Sequence, residues 1–213
     1  MGALYDATMG RAMAAGYDRV LAVSEAAGLA ARRHDLLAQA HGATIELGAG
    51  TGLNLEHYPP DVTELVLVEP SEHMARKLGA RVAASGRDAR IVRAGAERLP
   101  FEDGRFDTAV ATLVLCTVPD PDAALAEVAR VLKPGGRLLF LEHVRSDEES
   151  VARWQDRLER PWGFLADGCH PNRDTLAALD RSPLTIAAVQ RGRMPKASPI
   201  LKPMISGTAD VPA

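Results

Sequence analysis

The chain has 213 residues, a length suited to one domain with a substantial core of its own. Hydrophobic residues at 46% and charged residues at 25% are ordinary globular proportions, and a formal net charge of −3 offers no basic field to nucleic acid. Two cysteines are too few for a disulfide framework, no apolar run reaches the roughly 18 residues of a membrane span, and the amino terminus lacks a signal pattern, so the expectation is a cytoplasmic protein.

Residues 3–40 are rich in Ala and Leu at helical spacing and predict two helices broken near Gly28. Strands and helices then alternate. Strands are expected at 43–47, 64–69, 89–93, 107–113 and 137–142. A helix is expected to begin near Gly52 or Leu53, a second to cover 71–85, and a third to run from Pro119-Asp120-Pro121 through Leu132. Asp120 suits its cap and Pro121 its first turn. Pro134-Gly135-Gly136 turns that helix into the fifth strand. Such alternation predicts a mostly parallel sheet with helices on both faces. Beyond His143 the pattern changes: a helix at 147–166 that Pro161 must bend or end, a short helix at 174–181, and strands at 184–190 and 203–211 joined by a loop at 192–199. No internal repeat or low-complexity segment interrupts the chain.

The segment Thr44-Ile45-Glu46-Leu47-Gly48-Ala49-Gly50-Thr51-Gly52 ends an apolar run in an acid and alternating glycines, which let backbone approach a ligand closely. The next apolar run ends at Glu69, seventeen residues after Gly52, near the spacing at which an acid meets ribose hydroxyls. The dinucleotide fingerprint would need a third glycine at position 53, which is Leu53, and there is no phosphate-binding lysine. Glu46 suits a ligand with a cationic group better than a pyrophosphate. These features point to a nucleoside-containing ligand at the carboxyl ends of two parallel strands.

Together with Leu99-Pro100-Phe101, Phe106-Asp107 and Leu132-Lys133-Pro134-Gly135-Gly136, this segment resembles the class I S-adenosylmethionine-dependent methyltransferases over roughly residues 40–145. Asn54, His57-Tyr58-Pro59, Thr112-Leu113-Val114-Leu115-Cys116, Leu141-Glu142-His143-Val144 and Asp167-Gly168-Cys169 resemble one subgroup, the mammalian alkyl-thiol S-methyltransferases and their bacterial relatives. The resemblance implies a Rossmann-like α/β fold with a seven-stranded, mostly parallel sheet and an antiparallel last strand. It divides a single domain into a helical lid (1–40), a cofactor-binding core (41–145) and an acceptor side (146–213). It also implies S-adenosyl-L-methionine as cofactor, with S-adenosyl-L-homocysteine as product. Two departures stand out. Gly95 precedes Ala96-Glu97 where many members have Asp. Pro203-Met204-Ile205-Ser206-Gly207 lacks a histidine common in the subgroup.

The resemblance allots Glu46 to the cofactor ammonium, Gly48, Ala49, Gly50 and Gly52 to backbone contact, and Glu69 to the ribose hydroxyls. Backbone N–H groups at the start of the following helix would meet the cofactor carboxylate. Pro70 and Met74 flank adenine, unless Met74 is plain core. Ala96 meets adenine through its backbone, with Glu97 as a neighbour or a surface charge. Thr112, Leu113 and Val114 lie under the sulfonium, and Asn54 orients the methionine end or caps a helix. Tyr5 or Tyr17 closes the site. His143, Glu142 and His170 are the candidate bases or positioning groups, although a His at a strand end also serves as an ordinary loop residue. Trp154, Trp162 and Phe164 line an acceptor pocket or seal the core. Cys116 and Cys169 read as small buried hydrophobes, and no metal site is assigned.

The expected partner is a small apolar acceptor, thiol first. A phenol, a quinone carbon or a phospholipid amine is the enzymatic alternative, and a cofactor-binding regulatory module the non-enzymatic one. Glycine spacing and Glu46 argue against a nicotinamide oxidoreductase. The sequence is silent on oligomeric state.

Overall fold

The computed structural model describes residues 11–212. Helix α1 (Arg11–Ser24) passes through a wide turn at Glu25–Leu29 into α2 (Ala30–Leu37). Gly28 breaks the helical path with φ 122°, a value that glycine adopts without penalty. The strands are β1 (Gly42–Leu47), β2 (Val62–Val68), β3 (Arg90–Val92), β4 (Phe106–Thr112), β5 (Leu132–His143), β6 (Thr185–Arg193) and β7 (Pro203–Asp210). Between them lie α3 (Glu72–Ser85), α4 (Pro121–Val131), α5 (Glu149–Leu165) and α6 (Thr175–Arg181).

The strands form one sheet in the order β3-β2-β1-β4-β5-β7-β6. Neighbours from β3 to β5 are parallel, and β7 is antiparallel to both β5 and β6. This is the Rossmann-like architecture expected. Side chains alternate between the two faces of each strand. Ile45, Val66, Ala109 and Phe140 join one buried cluster with Leu125 and Val128 of α4 and Leu179 of α6. Leu65, Leu67, Val110 and Leu139 join the other with Leu36 and Leu37 of α2 and Leu78 of α3.

Local chemistry sets the helix ends. The Asp120 carboxylate accepts the Ala123 N–H at 3.0 Å, and Pro121 opens α4, both as the sequence predicts. Ser71 Oγ likewise accepts the Met74 N–H at 3.4 Å at the start of α3. Gly86, at φ 67°, ends that helix.

One expectation is corrected. No helix follows the glycine turn; a single 3-10 turn, Leu55–His57, takes its place. Pro59 and Pro60 cannot donate to a continuing helix, and Tyr58 before them is extended at φ −70°, ψ 130°. Pro161 falls inside α5, which spans Glu149–Leu165 where a helix at 147–166 is expected. The position is exposed, so water can serve the Arg157 carbonyl that loses its donor.

Candidate active site

At the carboxyl ends of β1, β2 and β4 the sheet opens into a cleft of about 690 Å³, within the usual range for small-ligand sites. Its floor is the glycine turn. Gly48 has φ 55° and Gly50 φ 58°, left-handed values that strain any other residue. A Cβ at Gly48 would also lie 2.2 Å from the Val114 side chain, so the turn and the loop after β4 close on each other only because position 48 is glycine.

One wall carries Glu69, Pro70, Met74, Ala96 and Glu97; the other carries Leu113, Val114, Thr117, Ala166 and Asp167. Glu69 is fixed by two backbone donors, Gly50 N–H and Ser71 N–H, each at 2.8 Å. Those bonds lower its carboxyl pKa, but burial outweighs them and the net direction is up. Each oxygen keeps a further lone pair for a hydroxyl donor.

Beside the cleft, and sharing Tyr17, Gly48 and Gly50 with it, lies a small recess reached by Arg33, Glu46, Ala49, Asn54 and Thr112. A closed network fills its base. Glu46 accepts from Tyr58 Oη at 2.6 Å and Asn54 Nδ2 at 2.9 Å. Arg33 donates to Asn54 Oδ1 and Thr112 Oγ1, both at 2.9 Å, and to Glu25 at 3.0 Å. Burial pushes the Glu46 carboxyl up to about 7, against its hydrogen bonds and the nearby Arg33 charge. A cation and an anion thus share one recess, complementary to a zwitterionic amino-acid group.

Tyr17 on α1 lines both hollows; burial, more than any neighbouring charge, raises its phenol pKa. Asp18 beside it holds α1 to the turn, accepting from Thr51 Oγ1 at 2.5 Å and pairing with Arg81 at 3.0 Å.

Leu113 is left-handed at φ 57° without being glycine. Such strain persists only where surroundings impose it. Here Glu142 imposes it. Its buried carboxylate accepts the N–H groups of Val114 at 2.9 Å, Leu115 at 3.0 Å and Cys116 at 3.4 Å. Burial raises Glu142 to about 7, yet the group holds backbone and lines neither hollow.

The other candidate bases also turn away. His143 is 4% exposed, and its Nε2 lies 3.1 Å from Cys169 Sγ. Burial lowers its pKa, but the Cys169 sulfur and Glu142 outweigh it and the net direction is up. His170 pairs with Glu159 at 3.0 Å, outside the cleft. The aromatic residues expected at an acceptor pocket are not part of this cleft. Trp154 and Phe164 are more than half exposed, Trp154 beneath the Arg157 guanidinium, and neither they nor Trp162 line the cleft.

Of the residues allotted to the cofactor, Tyr5 lies outside the described residues. Gly52, at φ 86°, lines neither hollow and instead leaves room for Leu55 and Leu78. All the others line the cleft or the recess. With no helix after the turn, its start cannot supply the donors expected for a carboxylate. Arg33, which the sequence reading missed, is the cation that lines the recess. Its only sequence signal is a charge between apolar Leu29 and Leu36-Leu37 on one helix face.

Comparison with known proteins is consistent with this geometry. Residues 45–140 match a family model described as a methyltransferase domain. The thiol S-methyltransferase TMT1A of Homo sapiens is 33% identical over 169 residues, 78% of this chain and 69% of that protein. Human thiol S-methyltransferase TMT1B is 35% identical over 171 residues, 78% of this chain and 70% of that protein. The match to the TMT1B of Rattus norvegicus, 39% identical over 142 residues, takes in 65% of this chain but little more than half, 58%, of the rat protein. Among solved structures, a SAM-dependent methyltransferase of Thermotoga maritima, described as a possible histamine N-methyltransferase, shares the fold. Its TM-score is 0.71 at 21% identity, with 95% of this chain and 97% of that one covered. The chain belongs to the class I S-adenosylmethionine-dependent methyltransferases, in the family that holds these thiol S-methyltransferases.

Proposed function

We propose that this chain transfers a methyl group from S-adenosyl-L-methionine to a small apolar thiol. The residues present fit that cofactor. Glu69 offers acceptors to the ribose hydroxyls, Pro70, Met74 and Ala96 form an apolar slot for adenine, and the turn at Gly48–Gly50 lets backbone lie against the methionine chain. Arg33 would hold the carboxylate and Glu46 the ammonium. When bound, the cofactor supplies a methyl carbon already activated by its sulfonium.

The protein's remaining work is placement and exclusion of water. Leu113 and Val114 present apolar surface at the end of β4, and Tyr17 covers the junction of cleft and recess. One observation carries the choice of acceptor. Glu142, His143 and His170, the three bases expected from the sequence, all lie outside the cleft, which favours an acceptor that needs little help to lose a proton. A thiol, with a reference pKa of about 8.5, needs least among thiol, phenol, amine and carbon acid. The names of the human and rat relatives support the same choice.

The test is a panel of alkyl and aryl thiols, phenols, quinones and lipid amines incubated with labelled cofactor, with products read by mass. Thioethers are the expected product. Methylation of another class without any thioether would reject the acceptor and leave the cofactor site standing. Thin methylation of every class alongside tight cofactor binding would favour a binding module.

A further inference from the structure

The most concentrated chemistry left over lies just behind the cleft wall. Cys116, His143 and Cys169 each offer one donor atom, and these atoms lie within 4.8 Å of one another. We propose that the three residues form a zinc site with three protein ligands and a fourth position on the cleft side.

The donor set selects the metal. Two thiolates and an imidazole are soft and borderline ligands that suit zinc and exclude magnesium and calcium. Bond lengths of about 2.3 Å to sulfur and 2.0 Å to nitrogen place tetrahedral donors about 3.5–3.8 Å apart. His143 Nε2 stands 3.1 Å from Cys169 Sγ and all three donors lie within 4.8 Å of one another, so an ion requires small shifts of the side chains. Two cysteines and one histidine with an open position is also a known catalytic zinc arrangement, distinct from closed structural sites.

Three separate elements hold the ligands, and each is fixed by backbone bonds. Cys116 gives its N–H to Glu142 at 3.4 Å and accepts the His170 N–H at 2.8 Å. His143 is the last residue of β5, paired with Met204. Cys169 follows a tight loop in which Asp167 and Gly168 both have positive φ, and its N–H reaches Ala166 O at 3.1 Å. Cys116 and His143 are 1% and 4% exposed, and His143 Nδ1 is buried without a hydrogen bond. The nitrogen that faces Cys169 is Nε2, so the metal would bind there and Nδ1 would remain on the far side of the ring. The 27- and 26-residue gaps between the ligands match no metal motif, so only the folded chain brings them together.

The fourth position follows from the loops. Cys116 sits between cleft-lining Val114 and Thr117, and Cys169 follows cleft-lining Ala166 and Asp167. The three ligands themselves do not line the cleft, so a thiol would have to pass between these two loops to reach the cluster from that side. This part rests on the thiol reading above. Coordination replaces the acceptor's S–H bond with a Zn–S bond and passes the proton to the water it displaces. The site then takes over the deprotonation, adding to the ease with which a thiol loses its proton.

The experiment uses the full chain, purified under reducing conditions, stripped by chelation and titrated with zinc and with cobalt as a spectroscopic substitute. One metal ion per chain is expected, with visible tetrahedral cobalt bands and ultraviolet sulfur-to-cobalt charge transfer. Cys169→Ser, at the less buried ligand, should weaken binding at least tenfold, and zinc should raise the Tm of the natural chain more than that of this variant. No charge-transfer band, or zinc content equal to that of the Cys116→Ser/Cys169→Ser pair, overturns the site. So does a Cys116–Cys169 disulfide found by thiol counting in the purified reduced chain. Adding an alkyl thiol to the cobalt form should shift the bands, whereas its S-methyl thioether should not. Unshifted bands overturn the open position alone. Shifted bands without thioether production in the acceptor panel overturn the proposed acceptor and leave the metal site intact.

Discussion

At the scale of single residues, the cofactor site divides into two ends that separate experiments can address. Glu69 lines only the cleft, proposed for the nucleoside, and Arg33 only the recess, proposed for the amino-acid end. Glu69→Ala should therefore weaken both S-adenosylhomocysteine and methylthioadenosine, by about 1.5–3 kcal/mol, the range for hydrogen bonds to a charged group. Arg33→Met should weaken S-adenosylhomocysteine by a similar amount and leave methylthioadenosine, which has no carboxylate, unchanged. Calorimetry on folded variants reads both. Equal losses for the two ligands in the Arg33 variant would mean that the guanidinium only supports the fold. Glu69 was legible in the sequence because a strand end fixes it. Arg33 was not, because its partners Asn54 and Thr112 lie 21 and 79 residues away. In the sequence it is one arginine on an amphipathic helix, where such residues usually meet water.

Elements tell the same story through their ends. The start of α4 was readable because Asp120 and Pro121 act within one turn, and Asp120→Ala should cost about 1 kcal/mol in urea unfolding. The missing helix after the glycine turn was readable too, had Pro59 and Pro60 been weighed against the expected pattern of the fold. The loop after β4 was not. Its path rests on Leu113 in a left-handed conformation and on a carboxylate from the neighbouring strand, a contact that no local pattern encodes. Glu142→Ala would leave up to three N–H groups in the loop without an acceptor, at about 1–3 kcal/mol each. The expected outcome is a loss of roughly 3 kcal/mol or more, with turnover falling further than cofactor affinity because Val114 and Thr117 lose their positions on the cleft wall. Glu142→Gln keeps an accepting oxygen and should recover part of both. A stability change below about 0.5 kcal/mol for the alanine variant, the usual scale of a surface substitution, would remove Glu142 from this role.

Across the whole molecule, the two buried acids make stability and ligand binding respond to pH in opposite senses. Glu46 and Glu142 both titrate near 7 in the folded chain, against an ordinary value of 4.5, because burial penalises their charged forms. Between pH 4.5 and 7 the folded state retains protons that the unfolded chain has released. Their contribution is fully favourable below that window and is lost as pH rises through it, at up to about 1.4 kcal/mol per pH unit for each group. Glu46→Gln and Glu142→Gln should each flatten the decline, measured as unfolding free energy at pH 5, 6 and 7. The proposed ligand reverses the sign at one of the two. An ammonium beside Glu46 favours the carboxylate and lowers its pKa toward the ordinary value. Binding of S-adenosylhomocysteine should therefore release a proton near pH 6.5 and tighten as pH rises from 6 to 8. Calorimetry in buffers of different ionisation enthalpy measures that proton directly, and Glu46→Gln should abolish it while Glu142→Gln should not. Proton release that survives Glu46→Gln would move the ammonium contact away from Glu46 and leave the ribose contact at Glu69 as the anchor of the site.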